Sequence, residues 1–427
     1  MFFDSKPEKR RLKSSFCRCA VLRSNELQYL SEKIMVDVDY LVSVVVPTHN
    51  RSQYAIHCIE SLLDIDSELL QVVVHDTSND ECELAQWAGK NLDSRLRYVH
   101  WVDRLSMTEN HERAMRIATG EYICLIGDDD SVSERIIEVA AFAKNKGIKM
   151  ITPKVKALYY WPDFRTKMYG AAHAGRVYLS EFDQKIEYMG SLGNLNVALH
   201  AACQGTDELP KLYHGLVHHS LIDQLRESNG QVFFGTSPDM SASVALSLLG
   251  HEYALIDLPF TMPGGAGGSN SGRSAAGKHK GDLKSDPHIA PFKNLEWPEI
   301  IPHFFSVETV WAHAAWTTLN GIGGAEQLKK FNLARLYALC AWGHKDYLST
   351  TRLARLAAVE QGYSNVRRLD VFKELLVVIS KHVLSRFKRL LKPSASNGRE
   401  VLAVVPDVRL ARQELDKNLR DRIKSTL

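Results

Sequence analysis

The sequence predicts an α/β fold, a mostly parallel sheet flanked by helices, with a helical C-terminal region behind it. Two observations carry that prediction. From residue 41, β-branched runs alternate with helical stretches at the spacing of βαβ units, and beyond about 297 the pattern is mostly helix. The length of 427 residues suits two or three domains at roughly 100–200 residues each.

The first 38 residues stand apart. SKPEKRRLKSSFCRCAVLR (5–23) sets seven basic residues against Glu8 and has neither an apolar period nor the apolar core of a signal peptide. Residues 1–38 are expected to be a disordered basic extension, with Met35 an alternative start. LVSVVVP (41–47) then reads as a buried parallel strand, followed by a helix at 52–64 with Ile56, Ile59, Leu62 and Leu63 at helical spacing. LLQVVVHD (69–76) is the second strand, 81–90 the second helix and RLRYVHWV (95–102) the third strand. A helix at 108–119 is expected between a Thr108 cap and Gly120, before a fourth strand, EYICLIG (121–127). A helix at 132–146 and a strand at 148–152 complete the regular alternation. Short strands follow at 154–160 and 175–179, a helix at 214–230, a strand and turn at 232–239, a helix at 239–250 and a strand at 252–259. The glycine-rich stretch 263–281 reads as a mobile polar loop.

Composition narrows the function. Hydrophobic residues are 45% and charged residues 24%, ordinary for a globular chain. The net charge of +3, from 53 basic and 50 acidic residues, gives no bulk attraction for nucleic acid, and none is expected as a partner. The longest apolar runs fall short of the ~20 residues that a membrane span needs. Seven scattered cysteines read as reduced thiols; Cys17 and Cys19 form a C-x-C without a second pair.

In an open parallel sheet, ligands bind beyond the carboxyl ends of the strands. The residues there are Thr48, His49, Asn50 and Arg51 after the first strand, Asp76, Thr77, Ser78 and Asn79 after the second, and Asp128, Asp129 and Asp130 after the fourth. Three consecutive aspartates at the mouth of a buried strand repel one another. A divalent cation, magnesium or manganese, is the favoured remedy, and capping of the next helix the bland one.

SVVVPTHNR (43–51), Asp76 in VVVHDTSND (72–80) and GEYICLIGDDD (120–130) resemble glycosyltransferase family 2, nucleotide-sugar enzymes of the Rossmann-like GT-A fold. The resemblance is strong over 41–152, looser to about 280 and absent beyond. It implies a GT-A domain at 39–285, with a nucleotide-binding half at 39–152 and an acceptor half at 153–285; the remainder, 286–427, is expected from its own pattern to be a helical C-terminal region. It further implies a nucleotide held by Thr48, Asn50, Arg51 and Asp76, the last against the base. Asp128 would contact the ribose, and Asp129 or Asp130 would hold a divalent cation on the diphosphate. The general base would be Asp239, in GTSPDMSASVAL, where the family's usual Glu-Asp is replaced by Pro238-Asp239. A cap for helix 240–249 is the alternative role for Asp239. Polar and basic groups of the 263–281 loop could close over the donor. The implied reaction is transfer of one sugar, with inversion, from a nucleotide-sugar donor to a saccharide or lipid-linked saccharide acceptor. The setting would be the cytoplasmic side, in surface polysaccharide or glycolipid synthesis.

Rival readings are a sugar-phosphate nucleotidyltransferase, for which PTHNR lacks the glycine-rich basic loop, and a silent nucleotide-sugar-binding protein, against which the intact triplet speaks. Gly272–Lys278 has P-loop spacing, but His279 stands where Ser or Thr is required. His214 and His218 are expected on one helix face, without an evident third ligand. Residues 366–392 carry eight basic residues and an apolar stripe of Leu369, Phe372, Leu376, Ile379, Val383, Phe387 and Leu390. Such a helix either contacts an anionic membrane peripherally or packs its stripe against the helices at 326–360.

Overall fold

The computed structural model describes residues 20–22, 40–79, 83–277, 279–391, 396 and 398–423. Its centre is a nine-stranded sheet in the order β1-β4-β3-β2-β5-β11-β7-β12-β10. The first five neighbours are parallel: β1 (Ala20–Leu22), β4 (Leu96–Trp101), β3 (Leu70–Asp76), β2 (Val42–Thr48) and β5 (Tyr122–Leu125). Every residue of β2 and β3 is buried, as both faces are covered by helices. One face packs α1 (Ser52–Leu63) and α4 (Arg135–Lys146); the other packs α3 (Met107–Met115). The expected strands and helices up to 153 therefore hold, within a few residues at their ends. α2 spans Glu83–Lys90, and its expected first two residues lie outside the described ones.

The cap of α3 differs from expectation. Ser106, not Thr108, accepts from the Glu109 N–H, while the Glu109 carboxylate accepts from the Ser106 N–H, a reciprocal capping box. The helix ends at Met115, short of Gly120.

The second half of the sheet is mixed. β11 (Leu216–His218) runs antiparallel between β5 and β7 (Met150–Pro153), so the expected helix at 214–230 begins only at His219, as α6 (His219–Asn229). Gly215 is the reason: a Cβ there would stand 2.0 Å from the Lys211 carbonyl oxygen. β12 (Glu252–Ile256) lies parallel to β7, and β10 (Ile186–Gly190) closes the edge antiparallel to it. β10 and α5 (Ser191–His200) fall where no element was expected, while 232–237 forms no strand. α7 spans Pro238–Leu248.

A smaller sheet, β14-β8-β9-β17, joins distant parts of the chain: β14 (Gly264–Gly265), β8 (Ala157–Tyr160), β9 (Arg176–Leu179) and β17 (Glu400–Val404). The 263–281 stretch is thus structured, with β14 and a short helix, α8 (Asn270–Ala275). The expected C-terminal region divides between two cores. α9 (Val307–Gly321), α10 (Ala325–Leu328), α11 (Leu333–Gly343) and α12 (Leu348–Glu360) build a helical layer that packs on α5 and α7. After α13 (Arg368–Leu391), β17 and α14 (Val408–Arg422) return to the first domain, where Val408, Ala411, Leu415 and Leu419 enter the core beside α1. Of the expected basic extension only Ala20–Leu22 is described, paired with β4. Cys58, Cys124, Cys203 and Cys340 are free and buried. Cys17, Cys19 and Cys82 lie outside the described residues.

Candidate active site

The aspartate triplet stands where β5 leaves the sheet, and Gly127 makes its turn possible. A Cβ at Gly127 would lie 2.6 Å from the Tyr213 hydroxyl and 2.9 Å from Asp130 Oδ2. The three carboxylates, all buried, are held apart by different partners. Asp128 accepts from the Thr48 hydroxyl at 2.6 Å and pairs with Arg51 Nε at 3.3 Å. Asp129 pairs with Arg51 Nη2 at 3.3 Å and accepts from the Ala266 N–H at 3.1 Å. Asp130 accepts from the N–H groups of Gly127 and Gly264, each at 2.6 Å, and pairs with His214 at 3.1 Å. The Tyr213 hydroxyl adds a longer bond to Asp130, at 3.4 Å.

These partners set the charges. Burial raises the Asp128 carboxyl, with Arg51 and Thr48 opposing. Burial also pushes Asp129 up to about 7, since Arg51 only partly offsets it and the neighbouring aspartates repel. For Asp130 burial is outweighed by His214 and the two backbone donors, and its carboxyl is lowered. Burial alone would pull the Arg51 guanidinium down, but Asp128 and Asp129 prevail and raise it. Repulsion in the triplet is therefore relieved largely by Arg51, His214 and backbone amides. The cap reading fails, because α4 starts beyond the triplet with Glu134 at its N-cap.

The remaining expected nucleotide residues line the neighbouring strand ends. Thr48 is the register partner of Asp76, directly beside it. Asp76 is fully buried and accepts from the Ser78 N–H at 2.8 Å and the Tyr98 hydroxyl at 2.7 Å, which shapes the turn after β3. Asn50 adopts φ +53° and bridges the two loops: its N–H donates to Ser78 Oγ and its side-chain oxygen accepts from the Asn79 N–H. A non-glycine residue in that conformation costs energy, and such strain collects at binding sites.

Asp239 lies on the second residue of α7, after Ser237 at the N-cap and Pro238. One of its oxygens accepts from the Ser237 hydroxyl and the Met240 N–H. Burial, with the three aspartates of the triplet adding to it, drives the Tyr213 phenol well up.

Residues 43–188 match the sequence profile of "Glycosyl transferase family 2". That segment is similar to glycosyl transferase family 2. The family 2 segment also resembles the glycosyltransferase GlyG of Streptococcus pneumoniae, 31% identical over 99 residues, 23% of this chain and 33% of that protein. The putative colanic acid biosynthesis glycosyl transferase WcaA of Escherichia coli is 36% identical over 91 residues, 21% of this chain and 33% of WcaA. The chain thus spans about a third of these relatives' length. Among solved structures, the TarS 1–349 fragment of S. aureus in complex with UDP-GlcNAc is 14% identical, with a TM-score of 0.41 over 75% of this chain and 92% of that one.

Much of the site lies outside the family 2 segment. Tyr213, His214, Asp239 and the amides of Gly264 and Ala266 all come later in the chain. Sequence reasoning missed Tyr213 and placed His214 in a helix, paired with His218; Gly215 was the available signal of a break. His214 instead has φ +65° and precedes β11, while His218 caps α6, so the pair shares no helix face. Trp161, whose indole N–H donates to the Asp129 carbonyl at 2.9 Å, was missed as well, and no pattern marked it.

The fit of a divalent cation differs among the three aspartates. No group of three or more His, Cys, Asp or Glu residues forms a ligand set among the described residues. Asp130 has both oxygens engaged by donors. Asp129 Oδ1 accepts no hydrogen bond among the described residues, whereas Oδ2 takes the Ala266 N–H and Arg51. An open carboxylate oxygen suits a hard cation that completes its shell from phosphate and water, as magnesium commonly does. The donor set fits at Asp129, whereas both Asp130 oxygens already accept hydrogen bonds.

Proposed function

We propose that this chain is a glycosyltransferase that moves a sugar from a nucleotide-sugar donor to a hydroxyl of a saccharide or lipid-linked saccharide. The observation that carries the reading is the buried carboxylate triplet at the end of β5, braced by Arg51 from the β2 loop and by the amides of Gly264 and Ala266. The family match and the names of the relatives support it, and WcaA's name points toward polysaccharide synthesis.

In this mechanism the loops after β2 and β3, through Thr48, Asn50, Arg51 and Asp76, shape the nucleotide site, and Asp128 takes the ribose. Asp129 would hold a magnesium or manganese ion. When bound, that ion neutralises charge growing on the departing diphosphate. Arg51 adds a fixed positive charge at the same place. Asp239 takes the acceptor hydroxyl's proton as its oxygen bonds to the anomeric carbon. The bond from that carbon to the diphosphate breaks on the opposite side, which inverts the configuration, and the nucleoside diphosphate leaves.

A thermal-shift panel of nucleoside diphosphates, with and without manganese, tests the reading. A diphosphate that binds only the folded state must raise the melting temperature. Asp239→Asn should keep that shift yet lose about 10²–10⁴-fold in sugar transfer, because an amide cannot accept the proton. If no diphosphate shifts the wild type under either condition, the donor site is wrong. Near-normal transfer by Asp239→Asn would place the base elsewhere.

A further inference from the structure

The helix α13 is built to be covered on two sides, and the fold covers only one. Val371, Leu375 and Val378 turn toward the helical layer, where α13 packs on α11. On the other side Leu369, Phe372, Leu376, Val383, Leu384 and Phe387 are each more than half exposed. Packing against 326–360, the expected alternative for the stripe, therefore fails for these residues.

The charges around the stripe have one sign. Lys373, Lys381 and Arg386 are exposed on the same helix. Its acidic groups are occupied: Glu374 pairs inward with Arg335 at 2.5 Å, and Asp370 accepts from the Arg367 N–H at 3.1 Å. A contiguous apolar stripe of this size is unusual on a free protein surface. No helix among the described residues is long and apolar enough to cross a membrane. A 24-residue amphipathic helix of about 36 Å can instead lie along a surface, its stripe among acyl chains and its basic side chains at the headgroups.

We propose that the exposed face of α13 docks this chain peripherally on an anionic lipid bilayer. The charge complementarity selects that occupant: a second copy of α13 would bring Lys373, Lys381 and Arg386 against their own like charges. This deepens the glycosyltransferase reading by placing the enzyme beside lipid-linked acceptors, and rests on it for that purpose alone. Vesicle binding is measured without any sugar transfer, so either idea can fail without the other.

The full chain should co-float with vesicles of phosphatidylcholine and phosphatidylglycerol at low salt. It should stay in solution with phosphatidylcholine alone, and high salt should release it. Phe372→Ser with Phe387→Ser should lower the partition coefficient at least about tenfold. Lys373→Glu, Lys381→Glu and Arg386→Glu together should lower it on the order of 100-fold. All these positions are exposed, and melting curves matching the wild type would show that the variants fold. Three results would each overturn the proposal. The wild type could ignore anionic vesicles at low salt. It could bind both lipid compositions equally and regardless of charge reversal. Or light scattering could show a lipid-independent oligomer that the Phe variants dissolve, which would make the face a self-association surface.

Discussion

Burial and two like-charged neighbours hold the Asp129 carboxyl near 7, against 3.8 for an unperturbed aspartate. The folded chain therefore retains a proton that the unfolded chain has lost between those values. The stability this contributes is complete below 3.8 and disappears as pH rises through 7. Asp129→Asn removes the dependence, because the amide resembles the protonated acid and never ionises. The variant should match the wild type near the lower value and melt a few degrees higher above the upper one. Manganese should close that gap for the wild type by supplying the missing positive charge, and should do nothing for the variant. Differential scanning calorimetry across the range, with and without the ion, reads both effects. A variant less stable than the wild type at high pH would mean that Arg51 already neutralises Asp129 in full. Gly264 is the second residue that decides the site. A Cβ there would stand 1.8 Å from the Asp129 carbonyl oxygen, so Gly264→Ala must push the amide loop off the triplet. Donor affinity should fall at least about tenfold, roughly what a lost hydrogen bond to a charged group costs. Isothermal titration with the bound nucleoside diphosphate measures it, and unchanged affinity would remove the loop from the donor site.

Elements differ in how clearly the sequence announces them. β2 and β3 are β-branched runs and β5 a short apolar one, all buried on both faces and separated by helices of the right period, so local pattern was enough to place them. β11 has only three residues, and His214 before it and His218 at its end, at helical spacing, imitate the helix that follows. The aspartate triplet was legible as a site because three carboxylates at a strand end need a partner. Its partners were not legible. Gly264 lies 134 residues from Asp130, and a contact that distant leaves no trace in local periodicity. The same holds for α14, which reads as one more C-terminal helix yet locks onto the start of α4. Its Asp416 accepts from the Ser133 hydroxyl at 2.5 Å and the Glu134 N–H at 3.2 Å, and pairs with buried Arg412 at 2.5 Å. Asp416→Ala would leave that arginine buried without its carboxylate, a change that costs about 3–5 kcal/mol in comparable pairs. Urea denaturation should show a loss on that order. A loss under about 1 kcal/mol would mean that the helix is held by its apolar face alone.

At the scale of the whole molecule, the small sheet couples the C-terminal segment of the chain to the site. β17 pairs with β9, β9 with β8, and β8 with β14, whose Gly264 N–H reaches Asp130. A second tie runs the same way, from the Tyr159 hydroxyl on β8 to the Val405 carbonyl at 3.1 Å. The far edge of this sheet, 136 residues after Gly264 in the chain, therefore supports the strand that positions the amides. Meanwhile α14 seals the apolar face of α1 with Val408, Ala411, Leu415 and Leu419. A chain ending at Gly398 loses both supports. It should bind nucleoside diphosphate far more weakly than the full chain, even where circular dichroism shows the main sheet retained. Adding a peptide of residues 399–423 should restore the diphosphate-dependent rise in melting temperature, because strand pairing and the α14 contact are regained together. The same peptide carrying Asp416→Ala should restore it less well. If the shortened chain binds diphosphate as tightly as the full one, the amide loop is positioned by β8 alone, and the C-terminal segment is only a cover for α1.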